Sequence, residues 1–263
     1  MHRVVWSFLF LVILLTSQRQ WREFSAALKN RRTLLPLIPT TLFVGFNWLI
    51  YIWAVNNNHI LQASLGYYIN PLVNVLLGMI FLRERLRPLQ AVSLVLAGIG
   101  VVYLTVSYGE FPWIALSLAF AFGFYGLIRK TAAVGALVGL SVEMLFLMFP
   151  ALAYILFLGV RGTGALFRIS MKIDLFLMGA ALMTAFPLLL FTLGTRRLKL
   201  STIGFLQYIA PTCMFLVGVF FYHEPLHRAQ VIMFALVWTA LCIYSTDSVM
   251  YYRQISKPTQ KRI

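Results

Sequence analysis

The chain alternates between long apolar runs and short polar connections. Nine runs are predicted to be membrane-spanning helices, because about 20 apolar residues at 1.5 Å each cross the ~30 Å hydrocarbon layer of a bilayer. The connections are too short to form a separate soluble domain. The pattern therefore predicts an all-α integral membrane protein with nine transmembrane helices. The runs are 4–16, 34–55, 61–82, 89–107, 111–128, 139–160, 174–194, 201–222 and 229–250.

Composition agrees with a membrane protein. Of the 263 residues, 61% are hydrophobic and 11% are charged, whereas soluble domains have about 25% charged residues. The net charge of +15 suggests nucleic-acid binding, but its distribution argues against that. Of the 22 Lys and Arg residues, 17 lie in connections on one side of the predicted membrane and four on the other. This positive-inside asymmetry predicts a cytoplasmic carboxyl terminus and contact with anionic lipids of the cytoplasmic leaflet, with no nucleic-acid partner.

The sequence repeats with an offset of 140 residues. The repeat divides the chain into 1–107 and 111–250, followed by a basic tail at 251–263. A repeat of five helices, an odd number, places its two copies in opposite orientations, as in many secondary transporters. The identical pairs include Tyr68 and Tyr208, Ile69 and Ile209, Pro71 and Pro211, Gly78 and Gly218, Glu84 and Glu224, and Gln90 and Gln230.

The first repeat has four predicted helices and the second has five. We therefore expect another helix upstream of Met1, which would give ten helices in the full-length protein. The opening MHRVVWSFLFLVILLTSQRQ has the basic start and apolar core of a signal peptide. It lacks an A-x-A-like cleavage site, however, and basic residues follow at once. The repeat offset favours a genuine helix.

Three stretches resemble the RarD proteins, which are bacterial permeases, often labelled chloramphenicol-sensitive, of the EamA branch of the drug/metabolite transporter superfamily. The resemblance implies ten helices in two inverted five-helix repeats, a central cavity for a small-molecule substrate, and alternating access in the bacterial inner membrane. It covers essentially the whole chain. The stretches are NWLIYIWAVNNNHILQASLGYYINPLVNVLLGMIFLRERL, FYGLIRK and STIGFLQYIAPTCMFLVGVFFYHEPL.

A polar stripe marks the span 61–82. Tyr67, Asn70 and Asn74 are spaced i, i+3, i+7, which places them on one face of a helix. Such a stripe is costly against lipid, so it either lines a cavity or forms hydrogen bonds to neighbouring helices. The counterparts of the stripe in the second repeat are Gln207, Ala210 and Met214. This asymmetry favours a substrate-binding role over a purely structural one.

The substrate-binding prediction extends to mid-helix polar and aromatic residues near this stripe. Trp48 is too far inside its span to be explained readily as an interfacial anchor. The aromatic and amide character of the set suits an amphipathic or zwitterionic metabolite or drug. The predicted residues are Asn47, Trp48, Tyr67, Asn70, Asn74, Gln207 and Tyr208.

Three residues are candidates for coupling and gating. Glu143 is the only carboxylate well inside a predicted span, where a charge costs about 2.5–3.5 kcal/mol. It could exchange protons during transport or bind a cationic group; alternatively, it could reach the lipid headgroups, since it lies near the end of its span. Pro71 and Pro211 each remove a backbone donor from a helix. They could provide flexible bends or static kinks.

Two other functional classes fit the sequence less well. An intramembrane enzyme, such as a lipid-modifying transferase or protease, needs a buried nucleophile and base or a metal site. The sequence has no H-E-x-x-H motif, and all four histidines lie in connections or at the chain start. A channel would need a pore loop or ring-forming motif, and none is visible. We therefore predict a transporter with no catalytic residues, metal or cofactor.

Overall fold

The computed structural model describes residues 2–161, 171–220 and 227–256, and this part of the chain contains helices and no strand. The basic tail beyond residue 256, residues 162–170 of one predicted connection and residues 221–226, with Glu224, lie outside the described residues. The helices are α1 (His2–Ser17), α2 (Trp21–Lys29), α3 (Arg31–Asn56), α4 (Ile60–Phe81), α5 (Pro88–Ser107), α6 (Trp113–Thr131), α7 (Ala136–Val160), α8 (Met171–Arg197), α9 (Leu200–Gln207), α10 (Ile209–Phe220) and α11 (Arg228–Ser256).

The predicted membrane spans are confirmed. Eight spans in the described chain are long and apolar enough to cross a bilayer, and α1 with α2 supplies a ninth if this bent pair counts as one span. In a helix the backbone N–H and C=O groups bond to each other, so they need no hydrogen bonds from lipid, which has none to offer. The 16 residues of α1 extend only about 24 Å, less than the ~30 Å hydrocarbon layer.

Helix α2 was not expected, because residues 17–33 were predicted to be a basic connection. The chain turns by 118° between α1 and α2, with Arg19 in the left-handed backbone region at φ 55°. Phe24 and Ala27 are buried on one face of α2, while its charged residues are exposed. A short helix with this division is typical of the membrane interface.

Residues 201–222 were predicted as one helix but form two. The helical path is interrupted at Tyr208, between α9 and α10. Pro211 accounts for the break, because proline cannot donate a hydrogen bond to residue i−4 and its ring clashes with that carbonyl. In contrast, α4 continues without interruption through Pro71.

The 140-residue repeat is visible in the helix boundaries. Helix α9 begins 140 residues after α4, and α11 begins 140 residues after α5. Repeat counterparts also pack against each other: α1 against α7, α4 against α9, and α5 against α11. The hydroxyl of Tyr208 donates to the carbonyl oxygen of its own counterpart, Tyr68, at 3.2 Å.

The chain forms two compact units, and each combines segments from both repeats. Unit 1 contains Met1–Leu49 and Phe124–Leu198, and unit 2 contains Ile50–Gly123 and Lys199–Ile263. In unit 1, α1 packs against α7 and α8, and the Ser7 hydroxyl donates to the carbonyl oxygen of Ala181 at 3.2 Å.

Small residues bring helices of unit 2 into close contact. A Cβ atom at Gly66 would lie 3.3 Å from the carbonyl oxygen of Ala115, and one at Gly123 would lie 2.7 Å from Val73 Cγ1. Ala115, Ala119 and Gly123 recur every four residues along α6, a spacing of small residues that predicts close helix packing, and the contacts at Ala115 and Gly123 confirm that prediction. Gly98 on α5 also predicts close packing, and that prediction is wrong, because a Cβ atom there would meet nothing in the described chain within 4 Å.

Candidate functional site

Three amide side chains meet in unit 2. The Asn74 Nδ2 group donates to Asn70 Oδ1 at 3.1 Å and also to Gln207 Oε1. Asn74 is fully buried, whereas Asn70 and Gln207 are half-buried. We call Asn70, Asn74 and Gln207 the amide cluster. The structure thus brings together three of the predicted substrate-binding residues, from α4 and α9.

Close backbone contact positions the amide cluster. A Cβ atom at Gly204 would lie only 2.5 Å from the carbonyl oxygen of Pro71 and 3.4 Å from Asn74 Cβ. Glycine at 204 is therefore what allows α9 to approach α4 closely enough for Gln207 to reach Asn74. Helix spacing then aligns Asn70 and Asn74, which are one turn apart on α4.

The two predicted tyrosines have different surroundings. Tyr67 is 40% exposed and packs edge-to-face against Tyr51, with ring centroids 6.2 Å apart. Tyr208 is buried in the contact between α9 and α4, where its hydroxyl bonds to Tyr68. Tyr67 therefore has surface available beside the amide cluster, while Tyr208 holds the two helices together.

Asn47 and Trp48 lie in unit 1, so they belong to a different unit from the amide cluster. Both are half-buried on α3. The Arg3 guanidinium carbon lies 4.5 Å from the centroid of the Trp48 ring. This is a cation–π contact, which offers a charged side chain favourable surroundings inside an apolar segment.

Unit 1 also contains a fully buried ion pair. Arg129 Nε on α6 lies 3.5 Å from Glu143 Oε1 on α7, and both side chains are 0% exposed. The Tyr125 hydroxyl donates to Glu143 Oε2 at 3.2 Å and lies 3.4 Å from Thr192 Oγ1. The alternative in which Glu143 reaches the lipid headgroups is therefore wrong.

The ion pair leaves part of its hydrogen-bonding capacity unused. Arg129 Nη2 donates to the carbonyl oxygen of Ala136 at 3.1 Å. Arg129 Nε and Nη1 and Glu143 Oε1 have no hydrogen-bond partner within the described chain. Gly139 makes room for the guanidinium, because a Cβ atom there would lie 2.7 Å from Arg129 Cζ.

Sequence reasoning missed Arg129 because the predicted span ended at residue 128, so this arginine was counted with the cytoplasmic connection. Helix α6 in fact continues to Thr131. A signal was available in the sequence: Arg129 follows Tyr125 by one helical turn, and Glu143 is the one carboxylate inside a span that needs a counterion.

Glu84 has a role that the sequence did not reveal. It accepts hydrogen bonds from the backbone N–H groups of Leu200 at 2.7 Å and Ser201 at 2.9 Å, and from the Ser201 hydroxyl at 2.8 Å. Lys199, the residue before α9, provides no side-chain cap. Glu84 therefore satisfies the free N–H groups at the start of α9 and places a negative charge at the positive end of its dipole.

The turn after α4 presents Glu84 to α9. Arg83 adopts a left-handed backbone conformation with φ 53°, and the Glu84 N–H donates to the carbonyl oxygen of Gly78 at 3.0 Å. This conformation costs a residue other than glycine roughly 1–2 kcal/mol. The three hydrogen bonds to Glu84 offset that cost.

Replacing Glu84 by alanine is expected to lower the free energy of unfolding by about 2 kcal/mol, through loss of a helix cap and its charged hydrogen bonds. Unfolding by sodium dodecyl sulfate in mixed micelles would measure the change. Glu110→Ala is the matched control, because Glu110 is exposed and accepts one side-chain hydrogen bond, from Gln62. Equal stability of the two variants would contradict the capping role.

Another ion pair, this one in unit 2, connects α5 and α11. Arg87 Nε donates to Asp247 Oδ2 at 2.6 Å, and the Arg87 guanidinium carbon lies 4.1 Å from the centroid of the Tyr251 ring. The pair retains some solvent exposure. Breaking it should therefore lower the free energy of unfolding by less than breaking a fully buried pair would. No group of three or more His, Cys, Asp or Glu side chains suited to a metal occurs among the described residues.

The chain is similar in sequence to a transporter family and to several known proteins. The EamA-like transporter family model matches residues 1–106. The chain is 47% identical over 253 residues to Protein RarD of Salmonella typhi, covering 96% of this chain and 86% of that protein. It is 48% identical over 248 residues to an uncharacterized transporter of Vibrio cholerae serotype O1, covering 94% of this chain and 82% of the other.

A solved crystal structure shares the fold. Its chain is 18% identical in sequence and superposes with a TM-score of 0.67, covering 97% of this chain and 89% of its own length. The expected resemblance to RarD proteins is confirmed by the sequence relatives, and the crystal structure adds agreement in the arrangement of the helices.

Proposed function

Because this chain belongs to the RarD proteins of the EamA-like transporter family, we propose that it is a secondary transporter. It moves a small organic metabolite or drug across the bacterial cytoplasmic membrane by alternating access between two inverted repeats. The observation that carries this proposal is the 47% identity to a RarD protein over nearly the whole chain. The packing of repeat counterparts against each other supports the mechanism.

The amide cluster is the proposed centre of substrate recognition. Asn70, Gln207 and Tyr67 offer side-chain surface to a ligand, because each is at least partly exposed. Asn74 and Tyr208 are buried, so they act by holding the contacting residues in position. Asn47 and Trp48, on α3 of unit 1, are also proposed to contact substrate.

The broken helix supports a gating role for Pro211. Discontinuous helices commonly contribute to the binding sites of transporters, and their ends can move separately. Here α9 is an eight-residue segment held by Glu84 at its start and by Asn74 at its end. We infer that α9 moves together with α4 about the break at Tyr208 and Pro211 during transport, and that Pro71, through which α4 runs without interruption, lets α4 flex.

Glu143 is the proposed coupling residue, with protons as the coupling ion. Its burial beside Arg129 supports this role, because a proton on the carboxylate would remove the attraction that holds the pair together. The asymmetry of Lys and Arg residues supports a cytoplasmic carboxyl terminus with anionic lipids around the basic connections.

Transport can be tested before the substrate is identified. Proteoliposomes and empty liposomes would be incubated with a bacterial metabolite extract, and the captured compounds would be quantified by mass spectrometry. We expect at least one small organic compound to accumulate only in the proteoliposomes. Asn74→Ala should lower its uptake about tenfold, because a tenfold change needs only ~1.4 kcal/mol and this variant leaves Asn70 and Gln207 unsupported.

Asn57→Ala is the matched control for that variant, since Asn57 is exposed and its side chain donates, within the described chain, only to the carbonyl oxygen of Trp53 one turn earlier. Its uptake should equal that of the wild type. Identical contents in proteoliposomes and empty liposomes across the whole extract would refute the transport proposal.

A further inference from the structure

The hydrogen bonds of the amide cluster engage the oxygens of Asn70 and Gln207 and leave the NH₂ groups of these two residues available. An amide side chain has two N–H donors and one carbonyl oxygen. Asn74 Nδ2 gives its two hydrogens to Asn70 Oδ1 and Gln207 Oε1. The NH₂ groups of Asn70 and Gln207 have no hydrogen-bond partner among the described residues. Both residues are half-buried, so four N–H donors remain for a ligand.

The one cluster oxygen that accepts no hydrogen bond is out of reach of a ligand. Asn74 Oδ1 is buried without a hydrogen-bond partner in the described chain. It lies on the α6 side of Asn74, 3.7 Å from the position of a Cβ atom at Gly123. At Asn70 and Gln207 a ligand therefore meets four unused N–H donors and two oxygens that each already accept one hydrogen bond.

The carboxylates that the structure describes in unit 2 already have hydrogen-bond or ion-pair partners. Glu84 accepts three hydrogen bonds at the start of α9. Glu110 accepts from Gln62, and Asp247 pairs with Arg87. Within the described part of unit 2, no carboxylate lies in the amide cluster. An ammonium group would have to give up its hydration there without a counterion, which is costly.

An aromatic surface lies next to the donors. Tyr67 is three residues before Asn70 on the same face of α4. It is 40% exposed and is supported by Tyr51. A flat apolar group can pack on this ring while an attached polar group reaches the amides.

From these contacts we propose that the amide cluster binds a hydrogen-bond acceptor, a carboxylate or carbonyl oxygen, carried on a planar apolar body that packs against Tyr67. This proposal rests on the transporter function and specifies its substrate class. Asn70 and Gln207 are the ligand-contacting donors. Asn74 is a positioning residue, because it orients both of them through their oxygens.

The ligand class can be tested by binding, independently of transport. Purified full-chain protein in nanodiscs would be titrated with phenylacetate, phenylacetamide and phenethylamine, which share a ring and differ in the polar group. Thermal unfolding would report binding. We expect the first two compounds to raise the Tm and phenethylamine to leave it unchanged. A Tm raised by the amine as much as by the carboxylate, or unchanged by both acceptor compounds, would overturn the proposal.

Two variants test which residues supply the donors. Asn70→Asp and Gln207→Glu each replace an NH₂ group by an oxygen and add a negative charge, so affinity for phenylacetate should fall at least tenfold. Asn57→Asp makes the same change in an exposed turn and should bind as the wild type does. Wild-type affinity in both cluster variants would also overturn the proposal, and if one variant fails to fold the other decides.

Failure of this inference can be distinguished from failure of the proposed function. Extract uptake would be measured with the same protein preparation. Uptake that is selective for amines would leave the transporter intact and reject the acceptor class. Binding of phenylacetate without uptake of any extract compound would uphold the acceptor site and reject transport.

Discussion

Replacing Arg129 by methionine is expected to lower the free energy of unfolding by about 3–5 kcal/mol, the usual cost of leaving one member of a buried ion pair alone. Both side chains are 0% exposed, so no water can replace the lost partner of Glu143. Unfolding in mixed micelles would measure the change. Arg87→Met is the matched control, because its ion pair is partly exposed, and its loss should be clearly smaller.

The double variant Arg129→Met, Glu143→Leu separates stability from coupling. It removes both charges and retains apolar volume, so most of the stability lost in Arg129→Met should return. If Glu143 couples transport to protons, uptake by the double variant will no longer respond to an imposed pH gradient although the protein is stable. A double variant as unstable as Arg129→Met would contradict the pairing, and a wild-type response to the gradient would exclude Glu143 as the coupling residue.

Replacing Gly204 by alanine is expected to cost about 3 kcal/mol, at the upper end of the usual range for overpacking. The added Cβ atom would lie 2.5 Å from the backbone carbonyl oxygen of Pro71. A backbone atom cannot rotate aside as a side chain can, so α9 must move away from α4. That movement would separate Gln207 from Asn74, and we expect substrate uptake to fall with stability.

Gly98→Ala provides the comparison for Gly204→Ala. It makes the same chemical change inside a helix of the same unit, but its Cβ atom would meet none of the described residues within 4 Å. Alanine is the better helix former by roughly 0.5–1 kcal/mol, so this variant should be at least as stable as the wild type. Equal effects of the two substitutions would show that close contact with Pro71 is not the reason for glycine at 204.

The sequence predicts the helices of this protein well because lipid allows little other than helices. An apolar run must satisfy its own backbone hydrogen bonds, so hydropathy alone locates α4 and α5 to within one or two residues. The stripe of Asn70 and Asn74 was likewise predictable, because polar groups in a span must face protein or water. The structure adds that Gln207 joins them.

Contacts between distant segments could not be predicted in the same way. Glu84 and Ser201 are separated by 117 positions, and the local pattern around Glu84 is that of any charged helix end. Arg129 was missed for a related reason: hydropathy assigns a basic residue at the edge of a span to the surface, even where a carboxylate on the next helix accepts it. Gly98 shows the converse, since a small residue in a helix implies close packing only if a neighbour is present.

The capping of α9 by Glu84 affects how the protein can be assembled during synthesis. The ribosome makes Glu84 before Leu200, so the acceptor is already present in the membrane when α9 is inserted. A helix of the second repeat is thus capped by a residue of the first. A carboxyl-terminal fragment expressed alone would begin α9 without this cap, and co-expression of the amino-terminal fragment should restore its stability.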